Sequence, residues 1–391
     1  MKADGRGTAT PMMVVFAGPN GSGKSTINRE FLNNPNSGFK GEYINADDIA
    51  KSLERDIPDY QARNLRAAQI AEERRLDALH NRRSFAFETV MSTPEKVALL
   101  TQAKERGYSV SLVFVTLDSA EKNVARVANR VALGGHAVEP GAIRQRYERA
   151  MDLLPSAVEH ADKAIVFDNS GSSPVRVVAK DGERLQVAPN APEWAKGSFL
   201  SVIEQRMTSR EQLQATAQAA GAERFADAVA ESGRFYSGGV VNVTKHHVLQ
   251  QTGDKSFIAH DRALSAAQDF QRGAYATVAY AYDKGKIVSL EALREREQRE
   301  KADAFRTADK QEVLKRFPTL ANDYARLDTL SKAVESKLLN REQQQVVLSR
   351  VRENIAASIE RGESGRQVPI EQQSPGKGQV SSRQNDRDLE R

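Results

Sequence analysis

The sequence predicts an α/β protein. Residues 1–190 read as a P-loop kinase-like, doubly wound parallel sheet with helices on both faces, followed by a smaller mixed region, a helical region and a disordered tail. Three observations predict this. Short apolar runs alternate with helix-forming stretches as far as about residue 190, the pattern of a parallel sheet with crossover helices. The first run, MMVVFA (12–17), leads directly into GPNGSGKS (18–25), a complete phosphate-loop pattern that opens a helix. Beyond residue 195 the alternation stops and the chain becomes rich in Ala and Gln.

Taken in order, MMVVFA is a buried strand and STINREFLNN the helix after the loop. EYINA (42–46) is a second strand, residues 60–81 a helix, and SFAFET a third strand. Thr93, Pro94 and Glu95 start the next helix, with Thr93 as N-cap and Pro at the first helical position. VSLVFVTLD is a strand, SAEKNVARVANRVAL a helix closed by Gly134 and Gly135, and AIVFDNS a further strand. RVVAKDGERLQVA reads as a hairpin about Asp181-Gly182. The first domain is expected to end near 190. Residues 191–285 form the mixed region, containing a hairpin that turns at 252–255, and 286–361 are helical. There Asn340 and Gln343 fit a capping box, ahead of a Val347, Val351, Ile355, Ile359 stripe. Residues 362–391 mix Gly, Pro, Gln and both charge signs, a composition expected to be disordered.

Composition bounds the function. A chain of 391 residues implies two or three domains. It has no cysteine, which excludes disulfides, cysteine zinc sites and a thiol nucleophile. A net charge of +5 permits phosphate-bearing partners without demanding nucleic acid. No apolar run approaches the ~18 residues of a membrane span, and the N-terminus does not read as a signal peptide, so a soluble cytoplasmic protein is expected. The spacing of His246, His247 and His260 fits no metal-ligand pattern.

The phosphate loop carries the chemistry. Its glycines turn backbone N–H groups toward phosphate oxygens, so Gly18, Asn20, Gly21, Ser22, Gly23, Lys24, Ser25 and Thr26 are expected to bind the nucleotide, with Lys24 on the β/γ-phosphates and the Ser25 hydroxyl on Mg²⁺. No Asn-Lys-x-Asp stretch supports guanine specificity. Asp47 ends the expected second strand. In a doubly wound sheet that position faces the ligand crevice, where a carboxylate can take the proton of an acceptor hydroxyl. Asp48 is expected only to cap the following helix. Glu88 ends the strand FAFE, where a carboxylate serves a sugar hydroxyl or orients a metal. Asp118, at the end of LVFVTLD, is either a magnesium-shell carboxylate or a cap for the helix beginning at Ser119.

Together AGPNGSGKST, INADDIA, FAFETVMS, RVANRVALGGHAVEPGAIRQRYERA and VFDNS resemble the zeta toxins, the UDP-N-acetylglucosamine kinases of bacterial toxin–antitoxin pairs, over roughly residues 12–172. The resemblance implies ATP- and Mg²⁺-dependent phosphorylation of the amino-sugar 3′-hydroxyl, giving a product that cannot enter peptidoglycan synthesis. It also implies a small helical antitoxin as partner. It places Asp47 on the general base, Lys24 and Ser25 on the phosphate loop, and Glu88 and Thr89 on the substrate. The basic clamp is expected from Arg130 and Arg149, with Arg146 and His136 on the substrate side, Asn169 near adenine and Arg126 a solvated helix charge. Two other readings stay open: a P-loop kinase for another hydroxyl, including a polynucleotide end, and a nucleotide-binding adaptor whose C-terminal half docks a partner.

Overall fold

The structure is a computed structural model that describes residues 10–266, 269–283, 286–336 and 340–363. It divides into two compact units, residues 1–293 and 294–391.

The strands of the first unit are β1 (Met12–Ala17), β2 (Glu42–Ile44), β3 (Phe85–Thr89), β4 (Ser109–Thr116), β5 (Lys163–Asp168), β6 (Val175–Asp181), β7 (Arg184–Val187), β8 (Arg224–Asp227), β9 (Phe235–Val243), β10 (His247–Gly253), β11 (Ser256–Asp261), β12 (Tyr275–Ala279), β13 (Tyr282–Asp283) and β14 (Lys286–Ile287). Its helices are α1 (Lys24–Asn33), α2 (Ala46–Ser52), α3 (Tyr60–His80), α4 (Pro94–Glu105), α5 (Ala120–Ala132), α6 (Pro140–His160) and α7 (Ser201–Ala219). The main sheet has the order β2-β3-β1-β4-β5-β6-β7. Its first five strands are parallel, and the β6–β7 hairpin extends it antiparallel. Both faces are covered. Met13, Val15 and Ala17 point into one core, while Val14 and Phe16 point into another with Ile27 and Phe31 of α1. That two-sided burial is why MMVVFA is continuously apolar rather than alternating.

A second sheet has the order β12-β9-β10-β11-β8, with the β10–β11 hairpin turning at Lys255 (φ 53°) as the sequence predicts. β8 and β12 were not expected: RFAD is too short to show a period, and YATVA lies beyond the predicted hairpin. The expected division near residue 190 falls inside this unit. Phe199, Ile203, Ile258, Leu264 and Tyr280 join the same buried cluster as Leu100, Leu154 and Val158 of α4 and α6. A buried ionic network crosses the same line. Arg206 of α7 donates Nε to Glu159 Oε2 at 2.6 Å and Nη2 to Asp261 Oδ2 at 2.5 Å. His160 Nε2 also meets Asp261 Oδ2 at 3.0 Å, and His247 bridges Glu159 Oε1 (2.8 Å) and Ser209 Oγ (2.7 Å). His260 is a core residue between Tyr280 OH and Gln250 Oε1.

The second unit contains most of α8 (Leu290–Thr307), with α9 (Lys310–Arg316), α10 (Ala321–Glu335) and α11 (Arg341–Glu360). The Asn340–Gln343 capping box forms. Ile355 and Ile359 are buried with Phe305 and Tyr324, Val351 packs at the margin, and Val347 faces outward. All but the first two residues of the expected disordered tail, 362–391, lie outside the described residues.

Candidate active site

The carboxyl ends of β1, β2 and β3 meet at a cleft of about 410 Å³. It lies where β1 sits between β3 and β4, the switch point at which doubly wound sheets bind ligands. Its walls carry Lys24, Ser25 and Thr26 of α1, Asp47 of α2, Glu88 and Thr89 of β3, and Arg126 and Arg130 of α5.

The loop is shaped as a cradle. Gly18 (φ 135°) donates its N–H to Thr89 O at 3.2 Å, and a Cβ there would lie 2.0 Å from Val115 O. Gly23 (φ 98°) is the residue before α1, and a Cβ on it would lie 2.3 Å from Asn169 Nδ2. Side chains brace the loop from behind: Asn169 Nδ2 donates to Ser22 O (2.8 Å), Asn123 Nδ2 to Asn20 O (2.6 Å) and Arg146 Nη1 to Asn20 Oδ1 (3.5 Å). Asn169 therefore gives its Nδ2 to the loop, and Asn123 is a loop residue the sequence reading missed. The Ser22 hydroxyl is buried without a partner among the described residues. Lys24 folds its ammonium onto Gly18 O (2.8 Å) and Pro19 O (3.0 Å). Burial, offset in part by Glu88 and reinforced by Arg130, lowers its pKa to about 8. A glycine-lined loop at a helix N-terminus, with a lysine held at its mouth, fits a polyphosphate.

Glu88 is the centre of a polar network. It accepts from Asn28 Nδ2, from Tyr43 OH at 3.0 Å and from Ser25 Oγ at 3.4 Å. Tyr43 in turn accepts from Asn45 Nδ2 at 2.8 Å. Burial and the Glu88 charge push the Tyr43 phenol well above its ordinary pKa, so it stays a donor. Asn28 and Tyr43 are further residues the sequence reading missed; each looks like an ordinary helix or strand residue until the fold brings it to Glu88. The paired hydroxyl and carboxylate oxygens of Ser25 and Glu88 are the hard donors that magnesium prefers.

Asp47 differs from its expected setting. β2 stops at Ile44, and Asn45 caps α2 by accepting from Asp47 N at 2.8 Å. Asp47 thus stands in the first helical turn, exposed to the cleft. Asp48 is not the cap; it faces outward and pairs with Lys51 at 3.3 Å. Asp47 also borders a second, smaller pocket with Tyr60, Arg63, Asn64 and His136, where the His136 ring rests 5.2 Å from the Tyr60 ring. Arg130 donates to His136 O at 3.0 Å, and Arg126 to Asn169 O at 2.7 Å, which puts Arg126 on the cleft wall rather than in solvent. Arg149 is exposed and is not among the cleft-lining residues. Asp118 pairs with Lys122 at 2.6 Å and is not among the cleft-lining residues, and Ser119 caps α5.

A family model described as zeta toxin matches residues 2–175. Residues 2–175 belong to the zeta toxin family. In this segment a phosphate loop leads from a central parallel strand into a helix. A second family model, described as the KfrB domain, matches residues 235–289, which span β9 to β14. An uncharacterized protein of Haemophilus influenzae is 30% identical over 139 residues, 34% of this chain and 91% of that protein. Among solved structures, the AvrRxo1-ORF1:AvrRxo1-ORF2 complex with sulphate ions is similar at 16% identity and TM-score 0.39, covering 46% of this chain and 62% of that one. The PezAT toxin–antitoxin system of Streptococcus pneumoniae is similar at 14% identity and TM-score 0.34, covering 43% and 71%. The chain thus spans about 62% of the length of the AvrRxo1 structure it matches. Among the described residues no helix is long and apolar enough to cross a membrane.

Proposed function

We propose that the zeta toxin domain transfers the γ-phosphoryl group of ATP to the 3′-hydroxyl of the amino-sugar of UDP-N-acetylglucosamine. The observation that carries the reading is that Asp47 borders both the phosphate cleft and the smaller pocket lined by Tyr60 and His136. A base in that position can take the acceptor's proton while the acceptor oxygen attacks the γ-phosphorus and the bond to the β–γ bridging oxygen breaks, releasing ADP. Lys24 leaves the loop carbonyls for the β/γ-phosphates. Arg126 and Arg130, which share the wall, carry the charge clamp. Arg146 orients the loop through Asn20, and Arg149, outside the cleft lining, takes no part in the transfer. Glu88, held by Asn28 and Tyr43, keeps one oxygen toward Ser25. Ser25 and Glu88 would hold Mg²⁺, which supplies neutralisation of phosphate charge. Thr89 and His136 face the acceptor side. The product would be withheld from peptidoglycan synthesis, and a small helical antitoxin would be the partner that silences the site.

The experiment is ADP release by the wild-type chain and Lys24→Ala across UDP-N-acetylglucosamine, other UDP-sugars, small alcohols including antibiotics, and oligonucleotides. The expected result is stimulation by UDP-N-acetylglucosamine that Lys24→Ala abolishes. Stimulation only by a different hydroxyl would make the protein another kinase, and ATP binding without turnover on any acceptor would make it an adaptor.

A further inference from the structure

The second sheet carries a cationic pocket that phosphoryl transfer does not use. It lies beside the β9–β10 turn and the segment after β11, encloses about 380 Å³, and is lined by Arg206, Lys245, His246, Arg262, Ser265 and Phe270 with two alanines. No carboxylate is among its lining residues. Arg206, 3% exposed, has Nε on Glu159 and Nη2 on Asp261, while neither carboxylate takes its Nη1. Lys245 and Arg262 have only neutral partners among the described residues. Lys245 Nζ and His246 Nε2 share the single oxygen Gln205 Oε1 at 3.2 and 3.5 Å. Arg262 gives Nη1 to the carbonyls of Thr244 (3.0 Å) and Lys245 (3.5 Å). Among the described residues, neither Lys245 nor Arg262 has a carboxylate at ion-pair distance. Burial, and then the charges of Arg206, His247 and Lys245 against that of Asp261, disfavour a proton on His246.

Lys245 and Arg262 converge here with no carboxylate of their own among the described residues, and their mutual repulsion is relieved by an anion from outside. The donors come from α7, from the β9–β10 turn and from the end of β11. A carboxylate offers two oxygens in one plane, whereas a phosphate offers three or more in a tetrahedron and can meet donors from all three directions. Phe270 supplies an apolar wall on the remaining side. We propose that this pocket binds a phosphate group, carried either by a small phosphate ester or by a nucleic-acid strand. The site is independent of the phosphoryl-transfer reading and stands or falls without it.

The test uses the full chain carrying Lys24→Ala, so that the phosphate loop contributes as little as possible. Calorimetry with inorganic phosphate and fluorescence anisotropy with a labelled single-stranded oligonucleotide are the two arms. Saturable phosphate binding is expected, weakened about tenfold or more by adding Lys245→Gln and Arg262→Gln. Both side chains are exposed, so the melting temperature should not move; if it does, Lys245→Gln alone takes the same role. Oligonucleotide binding that weakens steeply with salt and is lost in the variant assigns the phosphate to nucleic acid. Phosphate binding without oligonucleotide binding assigns it to a small ester. Absence of saturable binding in both arms, or binding that the substitutions leave unchanged, overturns the proposal.

Discussion

Replacing Arg206 by Leu should destabilise the whole first unit. The guanidinium is 3% exposed and bonds two carboxylates, Glu159 on α6 and Asp261 on β11. Removing one partner from a buried ion cluster leaves uncompensated charge and costs about 3–5 kcal/mol. For a unit of this size that is roughly 6–20 °C in melting temperature. The pH dependence is a sharper signature. Burial alone would raise the Glu159 pKa, but Arg206 and then His247 hold it down to about 2, against an ordinary 4.5. A carboxyl with a depressed pKa stabilises the fold above its unfolded value and loses that contribution as pH falls through the folded one. For Glu159 this is about 3 kcal/mol, complete above pH ~4.5 and lost toward pH ~2. Asp261, also held well below its ordinary range by Arg206 and His160 against burial, acts in the same direction. In Arg206→Leu the acids are buried without their cation and are easier to protonate. The gap between wild type and variant should therefore be large at pH 7 and narrow as the pH falls to about 3. Calorimetric melts of both proteins across that range test it. A variant that melts within about 2 °C of wild type at pH 7, or a gap that widens in acid, would refute the reasoning.

Three further outcomes are expected. A chain ending at 190 loses Phe199, Ile203, Ile258, Leu264 and Tyr280 from the shared core, each worth ~1.5–3 kcal/mol, and should fail to fold, whereas a chain ending at 293 should melt cooperatively; a folded, active 1–190 fragment would contradict the shared core. Tyr43→Phe removes the hydroxyl that holds Glu88 Oε1 and should lower turnover roughly three- to tenfold with ATP affinity about unchanged, so an unaltered rate would remove Tyr43 from the site. Lys24 is protonated below its lowered pKa of about 8 and neutral above it, so ATP affinity should fall as pH rises past 8 and stay flat in Lys24→Arg; a flat wild-type curve to about pH 9 would contradict the assignment.

The phosphate loop and the alternation of the first domain were legible because both are local: a strand, a loop and a helix are contiguous in GPNGSGKS and its flanks. Asp47 was legible as a site residue but not its setting, since only the structure shows β2 ending at Ile44 and Asn45 taking the cap. What escaped the sequence depends on distant partners. Arg126 looks like a solvated helix charge until Asn169, 43 residues later, presents its carbonyl. Glu159, Arg206 and Asp261 have the residue types of a surface, and only their pairing across 47 and 55 residues makes them interior. The same reason hid the core shared by the first and second sheets. Gln-rich α7 has little apolar period, so nothing local marks it as a core helix.

The central claim is that Asp47 takes the acceptor's proton, and two adjacent acids test it. Asp47→Asn leaves the loop and Lys24 untouched, while Asp48 points away and pairs with Lys51. The measurement is ATP affinity together with UDP-N-acetylglucosamine-dependent ADP release for Asp47→Asn and Asp48→Asn. The account predicts near-normal ATP binding in both, turnover reduced by ~10²–10⁴ in Asp47→Asn and nearly unchanged in Asp48→Asn. Full turnover by Asp47→Asn, or loss of turnover confined to Asp48→Asn, would contradict it.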